Sequence, residues 1–223
     1  MPEIDFLSVL HKSTKRNYLA RVNDSEFPKP KAAKLAKKWS FDYWDGDRRI
    51  NYGGYKYLEG RWEKFAKKLF EYYSLPQNPK ILDVGCGKGF LMFDILKIRK
   101  DADVYGLDIS KYAIENSKEE VRDKIIEGNC NKLPWPDNFF DLVISINTLH
   151  NLYNYDLIKS LKELERVSKS HKYICVESYR NEEEKANLLY WQVTCEAFNT
   201  PKEWEWIFEK ADYKGDYSFI YFE

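Results

Sequence analysis

Residues 80–89 read Lys80-Ile81-Leu82-Asp83-Val84-Gly85-Cys86-Gly87-Lys88-Gly89. A short apolar run carrying one acid breaks into three glycines at alternate positions. Ile81-Leu82-Asp83-Val84 predicts a short buried strand, and residues 89–99 predict the helix after it. Glycines turn tightly and leave no Cβ between the backbone and a ligand. A ligand can therefore sit at the carboxyl end of this strand, in the crevice of an open sheet. The alternate spacing differs from G-x-G-x-x-G, and no Walker Gly-Lys-Ser/Thr is present.

Outward from this loop the chain alternates. Strands are predicted at 103–107, 124–127, 141–146, 173–177 and 216–222, with helices from about Lys111, around Leu157-Leu161-Leu164, and at 202–211. Strands alternating with helices imply an α/β fold, a parallel sheet with helices on both faces. Upstream, residues 4–22 read as a helix, 23–30 as a proline-broken linker, and 31–39 as a short basic helix. Residues 41–55 have no clean period and read as a structured loop dense in aromatics, charges and glycines. Trp62, Phe65, Ala66, Leu69 and Tyr73 then follow helical spacing. The expected organisation is an N-terminal helical and aromatic cap over 1–60 and a core over 61–223, with a helical insertion near 182–198.

The 223 residues carry 36 basic and 36 acidic side chains, 43% apolar residues and 17% aromatic ones. That balance suits a globular protein, and no apolar run approaches a membrane span. The N-terminus lacks the basic-then-apolar pattern of a secretory signal, so a cytoplasmic location without membrane insertion is expected. Cys86, Cys130, Cys175 and Cys195 show no metal-ligand spacing, so no metal site is expected and reduced thiols are. Residues 1–68 hold 16 Lys or Arg against nine Asp or Glu. Two readings of that basic lobe stand: a solvated helix face, or attraction for a phosphate-bearing partner.

Two further signals join the glycine loop. Asp108 ends the second strand, where a carboxylate can accept both hydroxyls of an adenosine ribose, and Ile109 can cover an adenine face. Glu127-Gly128-Asn129-Cys130 and Leu133-Pro134-Trp135-Pro136-Asp137-Asn138-Phe139-Phe140-Asp141 lead into the fourth strand. Over residues 80–180 the chain resembles a class I S-adenosylmethionine-dependent methyltransferase of small-molecule type, with a methyltransferase-11-like, Rossmann-like core. The resemblance implies S-adenosylmethionine as cofactor and S-adenosylhomocysteine as product. It places Asp83 and Gly85 at the methionine end, with Cys86 beside them, and has Gly87 and Gly89 permit the turn. It gives the ribose to Asp108, the adenine amino group to Asn129 in place of the usual Asp, and a ring contact to the Cys130 N–H. Asn147, after the fourth strand, joins the cofactor set. The family usually ends in two strands, one of them antiparallel. Only 216–222 is visible here.

On the acceptor side, oxygen and carbon nucleophiles usually need a base. His150, after the fourth strand, has a suitable intrinsic pKa. It reads equally as a helix-start His bonded to backbone. Glu177 can orient an acceptor and Arg180 can pair with an anion, or both form surface ion pairs. Tyr52, Tyr55 and Arg48, in the aromatic block, suit a polar, ring-bearing or phosphorylated acceptor, or belong to a packed cap. The segment around Tyr190-Trp191-Gln192 is a lid or a core helix. A loose resemblance to methyltransferases of bacterial surface glycans favours a sugar, a nucleotide-linked sugar or a related metabolite, methylated on oxygen or nitrogen. The rivals are action on RNA or protein, for which no appended nucleic-acid domain is visible, and a cofactor-binding protein without activity. Oligomeric state, monomer or homodimer, stays open.

Overall fold

The computed structural model describes residues 3–11 and 14–223. Its strands are β1 (Lys80–Val84), β2 (Asp103–Asp108), β3 (Ile125–Glu127), β4 (Phe140–Ile146), β5 (Ser168–Glu177) and β6 (Asp216–Ile220). They form one sheet in the order β3-β2-β1-β4-β5-β6, with every neighbouring pair parallel. The chain builds outward from β1 to β3, crosses back to β4 and builds outward again. The order reverses between β1 and β4, and a crevice opens there at the strand carboxyl ends.

Helices among the described residues are α1 (Tyr18–Val22), α2 (Lys29–Ala36), α3 (Phe41–Trp44), α4 (Glu63–Tyr72), α5 (Phe90–Ile98), α6 (Lys111–Glu115), α7 (Glu119–Arg122), α8 (Asn154–Val167), α9 (Glu182–Trp191) and α10 (Pro201–Lys210). Alternate strand residues feed two cores, as a period of two requires. Ile81, Leu142, Ile144 and Tyr173 join Phe65 and Leu69 of α4 and Leu91 and Ile95 of α5 on one face. Leu82, Val143, Ile174 and Val176 join Leu157, Leu161 and Leu164 of α8 and Trp204 and Phe208 of α10 on the other. Some helix starts are capped by side chains. Asn181 accepts from the Glu184 N–H at 2.9 Å at the head of α9, and Thr200 with Glu203 forms a capping box before α10.

Two expectations change. The helix expected over 4–22 is instead a 3₁₀ turn at Leu7–Val9, a bridge at Thr14 and the short α1; Lys12 and Ser13 lie outside the described residues. The reason is tertiary pairing. The Ile4 N–H donates to Tyr217 O at 2.8 Å, and Glu3 and Thr14 bridge Tyr217 and Phe222 in parallel. Local helix propensity yields to the open edge of β6. The resemblance implied two final strands, one of them antiparallel; among the described residues β6 alone follows β5. β6 is parallel, and this N-terminal segment runs along its outer side.

The aromatic block contains one helical turn, α3, and has a small core of its own. Ala32, Ala36, Tyr43, Trp44 and Ile50 pack with Ala113 of α6 and Val193 after α9. The cap is thereby seated over the carboxyl ends of β1 and β2.

Candidate active site

Two cavities meet beneath this cap. The first, of about 190 Å³, lies at the ends of β1, β2 and β4. Asp83, Gly85, Cys86 and Gly87 line it from β1 and its loop, Asp108 and Ile109 from β2, and Asn129 and Cys130 from beyond β3. The loop geometry demands its glycines at two positions. Gly85 has φ +81°, and a Cβ there would stand 1.9 Å from Thr148 Oγ1. Gly87 has φ +55°, and a Cβ would meet the Trp44 ring at 2.7 Å. Gly89 does not reach the cavity; it caps α5 with φ +69° and packs against Val121.

Asp108 binds the loop to β2. Its Oδ2 accepts from the Gly87 N–H at 2.7 Å and its Oδ1 from the Ser110 N–H at 2.8 Å. Burial raises its pKa, and these backbone donors pull it back. Asp83 has no such donors among the described residues. Burial, then the charge of Asp108, pushes its carboxyl up to about 7. A buried acid facing a cavity without a partner suits a ligand cation. Asn129 Oδ1 accepts from the Asn131 N–H at 3.1 Å, so one of its lone pairs is already in use. Ile109, 51% exposed, stands at the rim.

Spacing alone did not disclose what holds the cap onto the loop. Lys88 is 6% exposed, and its Nζ donates to both Asp45 oxygens at 2.6 and 2.8 Å and to Tyr55 O at 3.1 Å. Asp45 also accepts from Tyr112 OH at 2.8 Å and from the Tyr55 N–H at 3.0 Å. Trp44 Nε1 donates to Ser110 Oγ at 2.8 Å. The fastening pairs the one cation inside the glycine loop with an acid 43 residues earlier.

The second cavity, of about 620 Å³, adjoins the first across Tyr43, Tyr52, Tyr55, Trp62, Phe90 and Asn147, which line both. Tyr52 stacks on Trp44 with centroids 5.6 Å apart and planes at 12°, and Tyr55 stacks on Phe90 at 5.0 Å and 21°. Asn147 has φ +55° and a buried Oδ1 without a hydrogen-bond partner among the described residues. His150 and Glu177 lie buried in this cavity, and the partly buried Gln192 lines it beside them. The Glu177 N–H donates to His150 Nδ1 at 3.3 Å, leaving the ring proton on Nε2, 3.4 Å from Glu177 Oε2. Gln192 Nε2 donates to Glu177 Oε1. Oε2 is buried with no hydrogen bond of its own. Burial pushes Glu177 up to about 8 and His150 down to about 3, so both are held neutral near pH 7. Of the two readings of His150, the geometry matches the backbone-bonded one; neither ring nitrogen is left to take a proton from an acceptor.

Trp191 and Gln192, at the end of α9, also line the second cavity, while Leu188 of the same helix enters the core. The segment is both wall and packing helix. Arg48 stands at the mouth of the cavity. Arg180 does not: it pairs with Glu184 and with Glu223 at 2.9 Å and lies 4.1 Å over the Tyr221 ring, outside both cavities. Of the two readings of Arg180, this placement matches the ion pair. No helix among the described residues is long and apolar enough to cross a membrane.

Comparison with known proteins identifies the family. Residues 76–212, more than half of the chain, match the family described as "Methyltransferase domain". The chain belongs to the class I S-adenosylmethionine-dependent methyltransferase family. An uncharacterised methyltransferase of Bacillus subtilis, YdaC, is 33% identical over 98 residues, covering 43% of this chain and 53% of that protein. A demethylmenaquinone methyltransferase of Symbiobacterium thermophilum is 33% identical over 128 residues, 53% of this chain and 50% of that one. The chain thus spans about half the length of these curated relatives. Among solved structures, the YcgJ protein of Bacillus subtilis superposes with a TM-score of 0.54 at 18% identity, covering 66% of each chain, a likeness of fold.

Proposed function

We propose that this methyltransferase-family chain uses S-adenosylmethionine to methylate a small polar acceptor, on oxygen or nitrogen, held in the second cavity. The observation that carries the reading is the shared wall: a glycine-loop cavity and a cavity ending on a carboxyl with one unpartnered oxygen, Glu177 Oε2, meet at Tyr52, Tyr55 and Asn147.

The first cavity fits the cofactor on its own features. The unpartnered Asp83 would take the amino group at the methionine end, and the bare backbone at Gly85 and Gly87 would let the ligand approach. Asp108 would accept the ribose hydroxyls on its remaining lone pairs, with Ile109, Asn129 and Cys130 around the ring. When bound, the cofactor supplies a methyl group on a sulfonium, already electrophilic. The chain then has to position, desolvate and manage one proton. Glu177, ionised as pH rises through about 8, would take the acceptor proton at Oε2. A catalytic pKa near the working pH serves that step. Gln192 and His150 would hold the carboxyl in place. A sugar, a nucleotide-linked sugar or a related metabolite matches the polar and aromatic lining.

The test is a transfer assay with methyl-labelled S-adenosylmethionine and a fractionated cell extract. Label in the small-molecule fraction supports the reading. Label in protein or RNA moves the acceptor to a macromolecule, and absence of cofactor binding makes the chain a scaffold.

A further inference from the structure

The mouth of the second cavity holds positive charge without its counterpart. Arg49, Arg99, Arg166 and Arg180 each pair with a carboxylate within 4.0 Å. Arg16, Arg48 and Arg61, which line this mouth with Lys56, have no carboxylate partner among the described residues. Glu177 is the one acid lining the cavity among them, and it is buried and held neutral. Arg21, beside the mouth, is 8% exposed and is met by two carbonyls, Trp191 O at 2.9 Å and Arg48 O at 3.5 Å.

Trp191 gathers this charge. The guanidinium carbons of Arg21, Arg48 and Arg16 lie 4.3, 5.5 and 5.6 Å from its ring centroid. The indole face offsets part of the repulsion between them. The rest is visible in the neighbours. Burial and Arg48 pull Arg21 down to about 10, burial and Arg16 lower Arg48, and burial with Arg16 and Arg61 lowers His11. Guanidiniums converging on a cavity, with no protein anion among them, match the recognition of a ligand anion. At the other end of the cavity, Glu177 Oε2 and Asn147 Oδ1 await a hydroxyl or amine.

We infer that the acceptor carries an anionic group, a phosphate or a carboxylate, which Arg16, Arg48 and Arg61 hold at the mouth while its nucleophile reaches Glu177. This rests on the proposed methyl transfer, yet it is testable without turnover. The probes are inorganic pyrophosphate and malonate, titrated by calorimetry at low ionic strength, where exposed charges are least screened. The expected result is saturable binding of one anion per chain, weakened about tenfold in Arg16→Gln and again in Arg48→Gln, since each removes a charge-assisted contact. Arg99→Gln, remote from the cavity, is expected to leave it unchanged. Tighter pyrophosphate binding supports a phosphate ester; tighter malonate binding supports a carboxylate. Absence of saturable binding of both, or binding unchanged in the Arg16→Gln/Arg48→Gln double variant, overturns the inference. So does a single-stranded oligonucleotide that binds far more tightly than either and competes with them. S-adenosylhomocysteine is titrated in parallel. Its failure to bind sinks the proposed function, whereas its unaltered affinity in the arginine variants ties the anion to the acceptor cavity.

Discussion

The two cavities share a wall and differ in how they are made. The first is built on backbone: a glycine loop, N–H donors on Asp108, and strand ends aligned by the sheet. The second is built largely from side chains, drawn from the N-terminal segment, the aromatic block, the start of α5, the stretch after β4, the ends of β5 and α9, and the end of β6. Each contains a buried acid without full satisfaction, Asp83 in one and Glu177 in the other. A site made of backbone recurs wherever the strand-loop-helix unit recurs. One assembled from distant segments depends on how the whole chain packs.

The sharpest way to break this contrast is Glu177→Gln. Transfer is expected to fall by about 10²–10⁴-fold in kcat with little change in KM, and the limb of the pH–rate profile near 8 to vanish. Stability is expected to move the other way. Burial raises the Glu177 pKa from 4.5 to about 8, so the folded state holds this proton more tightly than the unfolded chain does. The native protein therefore loses stability as pH climbs through that window. Glu177→Gln escapes the loss, and denaturant titrations at pH 5 and pH 9 would reveal it. Asp108→Ala comes next. Affinity for S-adenosylhomocysteine is expected to drop by about a hundredfold, from the loss of charged hydrogen bonds to the ribose. An unchanged affinity would overturn the ribose assignment.

The fastening between the two regions offers a third test. Asp45→Ala strands the buried Lys88 ammonium and is expected to cost about 3 kcal/mol. Lys88→Met leaves Asp45, more exposed and still bonded to Tyr112, and is expected to cost less. Chemical denaturation of both variants decides the order. Asp83 gives a smaller, graded effect. With its pKa near 7 in the free protein, cofactor affinity is expected to weaken as pH falls below that value, approaching tenfold per unit. Asp83→Asn should abolish the slope in a calorimetric series. Arg180→Gln is expected to leave KM for the acceptor unmoved and to act on stability alone, because buried Glu184 loses its partner.

The backbone-made cavity was largely legible in the sequence. Asp83, Gly85, Gly87 and Asp108 are close in the chain or fixed by strand spacing, so local pattern placed them. The side-chain-made cavity was legible only in part. Tyr52, Tyr55 and Arg48 stood out by density, but nothing in spacing joins Asp45 to Lys88 or Arg16 to Trp191. Arg180 looked like a ligand because it follows the end of β5, and Glu184, one helical turn on, claimed it. The helix over 4–22 failed for the same reason in reverse: its amphipathic residues were bound for the edge of β6, which local periodicity does not see.

That edge has a consequence for how the molecule comes into being. Tyr18 donates from its hydroxyl to the carbonyls of Thr14 and of Glu223, the latter 205 residues away in sequence. Contacts of such separation form late, because closing the longest loop is worthwhile only once the rest is in place. The glycine loop, by contrast, needs β1 and β2, which follow one another directly. A refolding chain is therefore expected to pair β1 with β2 before Tyr18 docks against Glu223, and the two events would separate in a stopped-flow trace.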